Sequence, residues 1–131
     1  MRKIKLFTLI ALAFVACFAC KSKTDIYKSP EKVADAFVKA YVTADFDNMY
    51  KYTVPANVVF VRNIQKSMRA YPEKLAELQN SEVEILNLTC KPSNDSLTMC
   101  KCSFKVNNAS HDLEFRMKKI DGKWLVDMSE N

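Results

Sequence analysis

The chain has 131 residues, about half of them apolar (49%), enough for one domain with a substantial core and too few for two. A single glycine excludes the glycine-rich loops that cradle nucleotide phosphates. The formal charge of +5 includes Arg2, Lys3 and Lys5; setting those three aside leaves 17 basic against 15 acidic residues, a balance that does not point to nucleic acid.

Those three cations precede an apolar run from Leu6 to Ala16. The run is short of the roughly 20 residues needed to cross a bilayer, but it suits the apolar core of a signal peptide. It ends in V-A-C at Cys17, and F-A-C follows at Cys20. A small residue directly before cysteine looks like a bacterial lipobox, in which the thiol receives diacylglycerol. Cys17, with Val two positions before it, is favoured; Cys20, with a bulky Phe there, is the alternative. The expected organisation is a signal peptide over 1–16, a lipid anchor and polar tether over 17–28, and an α+β domain over 29–131. The expected location is the bacterial cell envelope, with the domain outside the cytoplasm and the lipid in the inner or outer membrane.

Ser29-Pro30-Glu31 predicts a helix start: a hydroxyl to cap free N–H groups, Pro at the first position, and an acid at the positive end of the dipole. Val33, Ala34, Phe37, Val38 and Tyr41 follow at helical spacing to about Thr43. Asp45 can cap a short helix through Phe46, Met49 and Tyr50, stopped at Val54-Pro55. A third helix is predicted from about Ala56 to Ala70, with Phe60, Val61, Ile64 and Met68 inward. Pro72-Glu73 starts a last short one carrying Leu75 and Leu78.

After Asn80 the period changes to two. Strands are predicted at Val83–Cys90, Leu97–Val106 and His111–Ile120, with a last one through Trp124, Val126 and Met128. Turns fall at 92–95, at Asn107-Asn108 and at Asp121-Gly122, the strongest hairpin signal in the chain. Helices followed by a meander of strands predict an α+β fold with helices packed on one face of an antiparallel sheet.

This layout resembles the nuclear transport factor 2-like superfamily, a cone-shaped, cystatin-like fold of helices against a curved antiparallel sheet. More narrowly it is similar to a family of bacterial lipoproteins known as domain of unknown function 4878. The resemblance rests on S-P-E-K-V-A-D-A-F at Ser29–Phe37, A-D-F-D-N-M-Y-K-Y at Ala44–Tyr52, and K-I-D-G-K-W-L-V-D-M at Lys119–Met128. It implies a pocket between helices and sheet, and it carries no activity, because relatives include isomerases, dehydratases and plain binding modules.

Candidate lining residues for such a pocket are Phe37, Tyr41, Phe60, Ile64, Phe104, Phe115 and Trp124. His111 and Asp112 are neighbours on a strand, so their side chains point to opposite faces and do not form a dyad. Asp35, Asp45 and Asp47 read as polar-face or capping residues, and Asp127 alternates away from the inward row. Cys90 is placed to bridge across a hairpin to Cys100, or to Cys102 if the turn centre moves by one residue. No residue set suggests a metal or other cofactor. Arg62, Lys66 and Arg69 form a basic stripe that reads as a solvated helix face; the alternative is contact with lipid headgroups or an acidic partner. The expected function is an envelope lipoprotein whose domain binds a small apolar ligand or an envelope protein without catalysis. Its membrane contact is through the N-terminal lipid, and nucleic acid is not a partner. The alternative is a small isomerase or dehydratase using a carboxylate in the cone.

Overall fold

The computed structural model describes residues 25–129. Cys17 and Cys20, and with them the signal peptide and lipid site, lie outside the described residues.

Helix α1 (Pro30–Val42) starts as the sequence predicts: the Ser29 hydroxyl accepts from the Lys32 N–H at 3.3 Å, and Pro30 occupies the first turn. Its inward stripe buries Val33, Ala34, Phe37, Val38 and Ala40. The helix ends on Ala44 in the left-handed region (φ 55°). The Asp45 N–H reaches the Ala40 carbonyl at 2.8 Å and the Ala44 N–H reaches that of Tyr41 at 3.4 Å. Glycine usually fills this position; here alanine does, and its methyl group is buried in the core. The sharp exit aims α2 (Phe46–Tyr52) back under α1, with the Asp45 carboxylate accepting from the Asn48 N–H as N-cap.

Two links tie the end of α2 to the sheet. The Val54 N–H donates to the Val126 carbonyl at 2.9 Å, and the buried Asn57 side chain accepts from the Met128 N–H at 3.0 Å. A 3-10 turn over Pro55–Asn57 leads into α3 (Val58–Arg69), and α4 (Pro72–Gln79) follows.

The sheet is β1 (Val83–Asn94), β2 (Leu97–Val106), β3 (Ala109–Ile120) and β4 (Lys123–Asp127), antiparallel and in chain order. The last two turns carry positive φ at both central residues, Asn107-Asn108 and Asp121-Gly122, which matches the right-handed twist of the strands they join. Strand β1 runs four residues further than predicted, through Pro92, with an irregularity at Pro92/Asn94 that keeps it paired, and a second shift falls earlier at Ile85/Asn87.

The inward face of β2 places Thr98, Cys100, Cys102 and Phe104 under α1, all buried. The outward face is a ladder of charge: Glu84 opposite Lys105, Lys101 opposite Glu114, and Arg116 opposite Asp127. This architecture is α+β, with four helices on one side of a curved four-stranded antiparallel sheet among the described residues.

The domain extends before the predicted start at Ser29. A 3-10 turn over Asp25–Lys28 packs Ile26 and Tyr27 against the cluster of Val33, Phe37, Met117, Trp124 and Val126. Lys123 lies over the Tyr27 ring at 5.1 Å. The last four residues of the expected tether therefore belong to the domain.

A groove between the helices and the sheet

The turn at Ala44 and the chain reversal into α3 hold the helices off one end of the sheet. The space left is an open groove of about 430 Å³. Its wall takes Tyr41, Val42 and Ala44 from the end of α1, Phe46 and Met49 from α2, Ile64 and Met68 from α3, and Leu78 from α4. Phe104, Val106 and His111 form the sheet side. All but two of these side chains are hydrocarbon or thioether. The exceptions, Tyr41 and His111, are exposed and stand at the rim.

The sheet side is built by register. Phe104 pairs with His111 across β2 and β3, so both face inward, and the imidazole stacks on the ring at 5.6 Å between centroids. Asp112 points the other way and accepts from the Ser103 hydroxyl at 2.7 Å on the outer face. His111 therefore stands at an apolar groove without a carboxylate from its own hairpin. Among the described residues, no carboxylate lines the groove. Asp45 is spent as a helix cap, and Asp35 pairs with Lys39 at 3.0 Å on the outside of α1.

A second cleft of about 420 Å³ opens where β4 ends and β3 loses its neighbour. Phe37, Tyr41, Phe115 and Val126 give it an apolar wall, and Glu114, Arg116 and Asp127 a polar one. Arg116 Nε lies 3.3 Å from the Asp127 carboxylate. Burial works to raise the Asp127 carboxyl, but hydrogen bonds from the Ser129 hydroxyl and N–H, with Arg116 beside it, outweigh burial and hold it below the usual carboxylate range. Asp127 is thus fixed as an anion, a poor candidate for the base that the enzyme alternative requires.

The residues singled out from sequence divide among several places. Ile64 and Phe104 line the groove, Phe37 and Phe115 line the second cleft, and Tyr41 stands between the two. Phe60 lines neither. It is 44% exposed, because Val61, Ile64 and Met68 take the inward stripe of α3 and a residue one position from Val61 is turned by about 100°. Trp124 is packed in the core cluster with Val33, Phe37 and Val126, and Lys119 covers its ring at 5.8 Å. Leu78, Met49 and Met68 were not singled out as lining residues; their spacing marks them only as an apolar stripe, and the groove arises from how far apart the helices stand.

Cys90 lies opposite Cys100 in the β1–β2 register and is bonded to it. Cys102 is a free, buried thiol packed with Val38 and Phe104. Burial pushes this thiol up from its ordinary range, aided by Asp35 and Asp112. Among the described residues, no helix is long and apolar enough to cross a membrane.

No family model matches the chain, and no curated protein sequence matches it. Solved structures do. One is a protein of Campylobacter jejuni named a "putative NTF2-like transpeptidase", at 18% identity and a TM-score of 0.54. The match covers 77% of this chain and 99% of that one. The fold is nuclear transport factor 2-like. The finding also corrects the expectation of a domain without catalysis: a neighbour in the same fold is named a "putative NTF2-like transpeptidase", so the architecture gives no ground for setting enzymes aside.

Proposed function

We propose that this chain is an envelope lipoprotein of the domain of unknown function 4878 kind, whose domain takes an apolar ligand into the groove between α1–α4 and the sheet. Residues 1–16 serve as the signal peptide, and lipid on Cys17, or Cys20, anchors the chain outside the cytoplasm. The groove carries this reading. It is an open apolar channel whose two polar groups sit at its rim, the pattern of a site that buries hydrocarbon and orients one polar end. The outer face of the sheet, by contrast, sets opposite charges across from one another.

The test is a fluorescence titration of the protein with dansyl-undecanoic acid, against an Ile64→Asp variant. The wild type should bind with blue-shifted emission, and the variant, with a carboxylate set into the channel wall, should lose at least tenfold in affinity. Equal binding by both proteins would refute the assignment of the groove. Mass spectrometry of the probe after incubation reads turnover in the same samples, and a chemically altered probe would extend the reading from binding to catalysis.

A further inference from the structure

Helix α3 has two different faces. Val61, Ile64 and Met68 turn inward to the core and groove. The solvent side carries Val59 at 51% exposure and Phe60 at 44%, and Tyr71, just past its end, is 66% exposed. These are three of the five large apolar side chains most exposed among the described residues. Val59, Arg62, Lys66 and Arg69 follow one flank at helical spacing, Phe60 is on the other, and Tyr71 follows the end of the helix. No acidic residue occurs from Val58 to Tyr71, and the three cations make no ion pair among the described residues.

Exposed aromatics flanked by unpaired cations form the pattern of a helix that lies on lipid: rings enter the headgroup layer while the cations meet anionic headgroups. The described residues begin close to the expected lipid site. Asp25 stands eight positions after Cys17 and five after Cys20, a reach of about 16–26 Å when fully extended. That is less than the diameter of a domain of this size, so an anchored chain must hold one of its faces close to the bilayer.

We propose that the face is the outer side of α3, seated on an anionic phospholipid surface through Val59, Phe60 and Tyr71, with Arg62, Lys66 and Arg69 on the headgroups. This rests on the anchored reading above. It sets the helix that walls the groove against the membrane, and so places the groove beside a store of apolar molecules.

The experiment uses the full chain, reconstituted on vesicles whose acyl chains are brominated, with a Phe60→Trp substitution at an exposed site that folding does not depend on. Emission is compared with the parent protein, whose Trp124 is packed in the core. In vesicles containing phosphatidylglycerol the new indole should be quenched. The quenching should vanish in 1 M salt, where the Debye length is about 3 Å. It should also vanish with Arg62→Glu, Lys66→Glu and Arg69→Glu combined, which lowers the seated population by on the order of 100-fold at about fivefold per cation. A chain that floats with the vesicles but shows no quenching overturns the seating and leaves the anchor standing. Equal quenching in pure phosphatidylcholine, or quenching indifferent to charge reversal, also overturns it. A chain that does not float with anionic vesicles overturns the anchor and the seating together.

Discussion

Replacing Phe104 by alanine removes a ring that is buried on β2, packs with Val38 and Cys102, and stacks under His111 at the groove. Burying an aromatic side chain removes roughly 150–250 Å² from water, and truncation in a core costs about 3–5 kcal/mol. One side of this ring faces an open groove, so the void left behind joins solvent and adds little cavity cost. The lower end, about 3 kcal/mol, is expected. For a domain of about 100 residues this lowers the melting temperature by roughly 12–24 °C at about 4–8 °C per kcal/mol. Urea unfolding followed by circular dichroism reads the free energy, and the slope should be unchanged if only stability is altered. Phe104→Leu keeps most of the apolar volume, so it should cost about 1 kcal/mol and weaken probe binding more than it weakens the fold. A Phe104→Ala loss below about 1 kcal/mol would refute the inward placement of this ring.

Phe60→Ala, in contrast, should change stability by less than about 0.5 kcal/mol in the same assay, because the ring is on the solvent side of α3; a loss like that of Phe104→Ala would show that α3 is rotated. Breaking the bond between Cys90 and Cys100, by reductant or with both cysteines replaced by alanine, should destabilise the domain by about 2.7 kcal/mol at most from loop entropy. Identical melting curves with and without reductant would remove the bond from the account. The Asp127 carboxyl is held below its unfolded value, so its stabilisation is present above the ordinary carboxylate range and is lost as pH falls through that range and below. Asp127→Asn should flatten the acid limb of a stability–pH profile while leaving the limb above pH 7 unchanged in shape, and an unaltered acid limb would contradict the Ser129 and Arg116 contacts.

The elements were legible where composition and period agreed. Ser29-Pro30-Glu31 marks the start of α1 because capping is a local matter. The alternation of Leu113, Phe115 and Met117 against Asp112, Glu114 and Arg116 marks the inward face of β3, because one face is dry and the other wet. Phe60 was misread because four apolar residues in succession, Val58 to Val61, carry no phase; only Ile64 and Met68 beyond them fix which way α3 turns. The packing of Ile26 and Tyr27 was invisible, since four residues are too few for a period and their burial depends on Trp124 and Val126 far along the chain. Register left the partner of Cys90 open between Cys100 and Cys102, because what decides it is the irregularity at Pro92/Asn94, between Cys90 and the turn, that no sequence signal announces. The groove was foreseen only as a set of apolar rings. Its division into two clefts on either side of Tyr41 comes from the early end of β4 and the spacing of the helices, which are tertiary quantities.

The methionines offer the most direct test of ligand binding in the groove. Met49 and Met68 line it, Met99 and Met128 line the second cleft, and Met117 is sealed in the core. With the methionine methyl groups labelled with carbon-13, addition of dansyl-undecanoic acid should shift the Met49 and Met68 signals in a saturable way and leave Met117 in place. Shifts confined to Met99 and Met128, or no saturable shift at any methionine, would contradict binding in the groove.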